Sequence, residues 1–338
     1  MGFFIFLVLF ASGILLLGHL GLPEKPVPFP SPVDPDEIMP GAESWRFDGN
    51  SGIAFVVCHG FGDSAFNTKP LGEFLHGLGH TAIGVLLPGH GSKIEDMEKS
   101  RYSHWLDYLE RTYLNERSRH RKIFLVGFSM GGSLALHVAA KNADTFRPAG
   151  IITISSPAFF NGFFNGHFIL HQPILAFTGI AKIFRPVVRF KKERPESSDR
   201  LNPWLGYRLT YAMDALHSFK RGLSTLRRIL PRISDPYCNI MAANDRTVSA
   251  ENQTYIYGKI QSREKRAYMF IMPPDLTTMH ALLTHKGVSG QVFHFIETFI
   301  NDTLGVYRKK EEEAGTKPGF LGKVFGRMKR TEPEDLVN

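Results

Sequence analysis

Only two of the 338 residues are cysteine. Cys58 and Cys238 sit inside apolar runs, AFVVC and YCNIM, with no CxxC or Cys/His spacing, so neither a disulfide framework nor a zinc site is expected and both read as buried small hydrophobes. Charge is sparse too. At 21% charged against 43% apolar residues the chain is no disordered protein, and it is long enough to bury a full core. A phosphate-binding P-loop and a G-x-G-x-x-G turn are both missing, and no acidic cluster completes a metal site around His59 or His90. Those two histidines read as loop-packing residues. No cofactor, metal or nucleic-acid partner is therefore expected.

One long apolar run is present, at the start. GFFIFLVLFASGILLLGHLGL, Gly2 to Leu22, has no Asp, Glu, Lys or Arg and, at about 1.5 Å per residue, can cross a hydrocarbon core of about 30 Å. It is expected to anchor the chain in a membrane. A cleaved signal peptide, with a secreted or periplasmic product, is the alternative, but the run lacks a basic n-region and exceeds the usual h-region. The sidedness is left open, because Lys25 is the only basic residue near either flank. Residues 23–41 are proline-rich and are expected to form a semi-rigid spacer.

From residue 53 onward, short continuous apolar runs alternate with segments of helical spacing. IAFVVC, TAIGVLL, KIFLVG and AGIITIS read as strands buried on both faces, and TKPLGEFLHGLG, YSHWLDYLERTYLNERS and GGSLALHVAAKN as helices between them. The rhythm resumes after residue 235 with PYCNIMAA, RAYMFIM and a last helix. An α/β fold with a mostly parallel sheet is expected, its core formed by residues 42–155 and 236–305. Residues 156–235 break the rhythm as an insertion. They hold 13 Lys and Arg against 5 Asp and Glu, a surplus equal to the whole chain's formal +8.

Gly127-Phe128-Ser129-Met130-Gly131 is G-x-S-x-G between an expected strand and an expected helix, the context in which this pattern presents a nucleophile. His59-Gly60-Phe61-Gly62 follows the preceding strand. Pro88-Gly89-His90-Gly91-Ser92 follows the next, and Trp105-Leu106-Asp107 lies on the helix after it. In this order HGFG, PGHGS, W-x-D and GFSMGG resemble the α/β-hydrolase superfamily, in particular its group of monoacylglycerol lipases, bacterial carboxylesterases and serine aminopeptidase-like lysophospholipases. The resemblance covers about residues 50 to 305. It implies helices on both faces of the sheet, a helical cap inserted between the sixth and seventh strands, and a serine hydrolase that cleaves carboxylic esters through an acyl-enzyme.

The resemblance also assigns roles. Ser129 would be the nucleophile, with the Phe61 and Met130 N–H groups as oxyanion donors. Asp245 would be the acid, in Asn244-Asp245-Arg246-Thr247-Val248. Read without the family, Asp245 is a turn aspartate capping the next helix. His280, in Thr278-Met279-His280, would be the base, with His285 as a second candidate where relatives carry an acid. The apolar, basic insertion suits a lipidic ester near an anionic membrane surface, and equally a lid packing its own core. Residues 306–338 contain GFLGKVFGRMKR, a candidate interfacial helix or a disordered tail. The fold fixes the nucleophile and not the acceptor, so an acyltransferase or peptidase stays open, as does a non-catalytic tethered binder. The oligomeric state is not legible.

Overall fold

Strand formation follows apolarity. IAFVVC, β2 (Ile53–Cys58), is buried at all six positions, and its side chains divide by parity: Ala54, Val56 and Cys58 enter one core, Ile53, Phe55 and Val57 the other. The same division recurs in β4 (Lys122–Phe128). A sheet apolar on both faces has to be covered on both, which is what the intervening helices do. These features come from a computed structural model describing residues 13, 27–30, 33–165, 167–190, 199–207, 209–273 and 279–313.

Among the described residues seven strands form the sheet. Beside β2 and β4 these are β1 (Trp45–Phe47), β3 (Thr81–Val85), β5 (Gly150–Ile154), β10 (Tyr237–Ala242) and β11 (Lys265–Phe270). Their spatial order is β1-β3-β2-β4-β5-β10-β11, antiparallel only at β1. The crossovers carry α1 (Lys69–Gly77), α2 (Ile94–Lys99), α3 (Tyr102–Arg117), α4 (Met130–Lys141) and α8 (Glu251–Lys259); α9 (Lys286–Glu313) closes the described chain.

The insertion differs from the expectation in place and in kind. It leaves the sheet after the fifth strand and returns at the sixth, not between a sixth and a seventh, because only the three-residue β1 precedes β2 among the described residues. It is also not wholly helical. Two antiparallel ribbons, β6 (Asn161–Phe164) with β7 (His167–Leu170) and β8 (Val187–Arg189) with β9 (Thr210–Ala212), accompany α5 (Pro173–Ala176), α6 (Thr178–Phe184) and α7 (Met213–Ile229). NGFF and HFIL, four residues each, pair as the two strands of the first ribbon.

The proline-rich segment lies against the body where it is described. The Val27 carbonyl is 3.1 Å from His104 Nε2, the Phe29 ring packs on His104, and the Met39 N–H donates to the Gly91 carbonyl at 2.7 Å. The expected span, residues 2–22, lies outside the described residues except Gly13, and the tail segment 319–330 lies wholly outside them. Among the described residues no helix is long and apolar enough to cross a membrane.

Candidate active site

β4 ends and α4 begins at a single residue. Ser129 has φ 53° and ψ −121°, a combination that costs a non-glycine residue about 1–3 kcal/mol. The surrounding glycines make that turn possible. A Cβ on Gly127 would lie 2.2 Å from the Gly131 carbonyl carbon, and one on Gly131 would lie 2.2 Å from the Cys58 carbonyl oxygen. Helix and strands thus meet at backbone contact, and Ser129 is lifted above the C-terminal edge of the sheet. The Ser129 N–H is tied to the Ile154 carbonyl at 2.8 Å. Met130 opens α4, where first-turn N–H groups have no acceptor within the helix.

The HGFG loop faces this turn. A Cβ on Gly60 would come 3.2 Å from Ser129 Cβ, so the two loops touch. His59 is fully buried and fixes the loop from below. Its Nε2 accepts the Leu87 N–H at 3.1 Å, so its proton sits on Nδ1 and is donated to the Gly60 carbonyl at 2.8 Å. Burial lowers its pKa to about 4, which keeps it neutral. His90 packs against His59 and Trp105, and Trp105 Nε1 donates to the Pro88 carbonyl at 2.9 Å. Both histidines and Trp105 are therefore packing residues. Asp107 pairs with Arg111 on the helix surface. Among the described residues no group of three His, Cys, Asp or Glu could hold a metal.

Asp245 and His280 arrive from the loops after β10 and β11. Asp245 Oδ2 is 2.6 Å from His280 Nδ1, while Oδ1 accepts the Thr247 and Val248 N–H groups at 2.7 and 3.0 Å. One carboxylate oxygen thus holds the loop's own turn and the other His280; Asp245 does not cap the next helix, which starts at Glu251 behind Ala250. With Nδ1 held by the acid, His280 presents Nε2 as its basic nitrogen. The ring packs on Phe128, the neighbour of Ser129, at 4.9 Å between centroids. No hydrogen bond joins Ser129 to His280 among the described residues, and such bonds commonly tighten only with substrate. His285 lies elsewhere: its Nδ1 accepts the Gly287 N–H at 3.2 Å at the start of α9. Thr278 lies outside the described residues.

Two features escaped the sequence reading. The first is Asp63, wholly buried beside the HGFG loop. Its carboxylate accepts the Gly60 N–H at 3.3 Å, the Ser64 N–H at 2.8 Å and the Asn67 amide. Burial nevertheless raises its pKa to about 7, against the pull of those donors and of nearby His280. An HGFGD run carries no pairing signal that would have singled out this aspartate.

The second is a strap, residues 199–207, that spans both sides of the site. At one end the Leu201 N–H donates to the Thr284 carbonyl and the Lys286 N–H to the Asp199 carbonyl, both at 2.7 Å. At the other the Tyr207 N–H donates to the Gly62 carbonyl, and the Leu205 carbonyl accepts from Ser64 Oγ and Asn67 Nδ2, each at 2.8 Å. The His280 loop and the HGFG loop are joined through it.

The chain is similar to several known proteins. A thermostable monoacylglycerol lipase of Bacillus sp. (strain H-257) is 32% identical over 119 residues, which cover 35% of this chain and just under half, 46%, of that lipase. The monoglyceride lipase of Rattus norvegicus is 23% identical over 272 residues, 78% of this chain and 86% of the relative. Among solved structures, one of the metagenome-derived lipolytic enzymes LipS and LipT superposes with a TM-score of 0.67 at 23% identity, over 78% of this chain and 99% of the other. A soluble variant of the Saccharomyces cerevisiae monoglyceride lipase gives 0.62 at 15%, over 77% and 91%. The model of the "Alpha/beta hydrolase family" matches residues 55–280, more than half of the sequence and the stretch that carries Ser129, Asp245 and His280; the chain belongs to that family.

Proposed function

We propose that this protein is a serine esterase acting on lipidic carboxylic esters, such as monoacylglycerols or lysophospholipids, with Ser129, Asp245 and His280 as its triad. The observation that carries the reading is the 2.6 Å Asp245–His280 pair set beside a serine in an elbow conformation. As Ser129 Oγ attacks the ester carbonyl, His280 Nε2 takes its proton, and Asp245 stabilises the imidazolium. Negative charge gathers on the carbonyl oxygen, towards which the Phe61 and Met130 N–H groups are the candidate donors. Collapse of the tetrahedral species expels the alcohol, which takes the proton from His280. Water, deprotonated by the same nitrogen, then releases the acid.

The lipid part of the reading rests on the names of the relatives and on the cap. Phe168, Phe177, Ile183, Phe184 and Phe190 are exposed there, in an insertion that carries the whole chain's formal positive surplus. We place this surface against an anionic membrane, with residues 2–22 as its anchor. A series of p-nitrophenyl esters tests the substrate class. kcat/KM is expected to rise with acyl length, by up to about fourfold per methylene while the pocket has room. Cleavage confined to the shortest acyl chains would contradict the lipid reading and leave the triad standing.

A further inference from the structure

Helix α7 turns an unusual face toward the start of the cap. Lys220, Leu223, Ser224 and Arg227 recur at helical spacing and line one side of a pocket, and Phe159, Phe160 and Leu175 line the other. Lys220 Nζ is buried and has no hydrogen-bond partner among the described residues. An ammonium removed from water without an acceptor is costly, and burial lowers its pKa to about 8. Arg227 is pinned beside it, Nη1 donating to the Ala158 carbonyl at 2.8 Å and Nη2 to Ser224 Oγ at 3.0 Å. Among the described residues no carboxylate lines the pocket. Asp214, the acid on the same helix, is engaged by Lys182 at 3.4 Å and Arg101 at 3.9 Å.

A buried, unpartnered ammonium and a half-buried guanidinium facing one pocket, with no counter-charge among its described lining residues, describe half of an ion pair. We propose that the pocket between α7 and Phe159–Asn161 binds a compact anionic oxygen group, a carboxylate or a phosphate, between Lys220 Nζ and the Arg227 guanidinium. Size limits the ligand: the cavity volume is about 30 Å³, too little for a bulky head group. Position connects it to the reaction. Phe160, on the pocket wall, meets Phe219 edge to face at 5.7 Å, and Phe219 stacks on Phe61 of the HGFG loop at 5.9 Å. The pocket therefore lies two ring contacts from the loop beside Ser129. Resting on the esterase reading, the anion is part of the substrate, and an acyl ester bearing a small phosphate or carboxylate is favoured over a neutral glyceride.

Calorimetric titration of the full-length chain in detergent tests the site, with inorganic phosphate and acetate as probes. The wild type is expected to bind at least one of them, K220M to bind about tenfold or more weakly, and K220R to retain binding. The substrate role is read from kcat/KM for lysophosphatidate against the monoacylglycerol of the same acyl chain, a ratio expected to fall about tenfold or more in K220M. Silent titrations of the wild type with both probes and an unchanged ratio would overturn the proposal. Anion binding with an unchanged ratio would uphold the pocket for a free anion and overturn its substrate role. Fluorophosphonate labelling of Ser129 in the same preparation separates the two readings: labelled protein that binds no anion refutes the pocket alone, and unlabelled protein that binds anion refutes the esterase alone.

Discussion

His59, His80 and His137 are each buried and each held neutral, with pKa values lowered from the usual 6.5 to about 4 by burial. The unfolded chain takes up protons on these rings below about pH 6.5 while the folded chain does so only near 4, so they withdraw stability as pH falls through that window. Asp63 works the other way. Its pKa is raised to about 7, so the folded state keeps a proton that the unfolded state has lost from about pH 4 upward, and it withdraws stability as pH rises. Three imidazoles outweigh one carboxyl. The unfolding midpoint is expected to rise between about pH 4 and 6.5, and D63N to steepen that rise; a flat or falling midpoint in equilibrium melts would contradict these protonation states. Ser129 and Asp245 were legible in the sequence because their neighbours constrain them, the one by glycines at contact distance, the other by its D-x-x-V turn. Asp63 was not, since its partners are two main-chain N–H groups and the Asn67 side-chain amide, all within four residues of it and marked by no motif.

At the scale of elements, the strands read cleanly where both faces are apolar: IAFVVC matches β2 residue for residue, and PYCNIMAA exceeds β10 by one residue at each end. β1 has three residues, one of them Arg46, and offers no such run. The ribbons of the cap were missed because their apolar residues also satisfy a packed lid, and a count of phenylalanines does not separate the two. The strap is a long-range arrangement that no local pattern encodes. Its anchor is Tyr207, whose hydroxyl lies 2.8 Å from both the Gly89 and the Lys93 carbonyls. Y207F is expected to lose about 1 kcal/mol of stability and to lower kcat more than KM changes, by letting the HGFG loop drift from His280. Unaltered kcat in a variant with the lowered melting point would reduce the strap to a purely structural element.

On the scale of the whole molecule, the sheet carries Ser129 and the Asp245–His280 pair at its C-terminal edge, and the insertion joins their loops through the strap and exposes an apolar, basic surface. The arrangement couples two demands on one chain: a rigid, doubly covered sheet that holds a strained serine, and a cap whose exposed phenylalanines and cations suit a lipid boundary. All of it depends on Ser129 being the reacting group. Labelling with a fluorophosphonate probe followed by mass mapping tests this most directly. Stoichiometric modification of Ser129 in the wild type, none in S129A, and loss of ester hydrolysis by about 10³-fold or more in that variant are the predicted results; equal labelling of S129A, or esterase activity that survives it, would contradict the account.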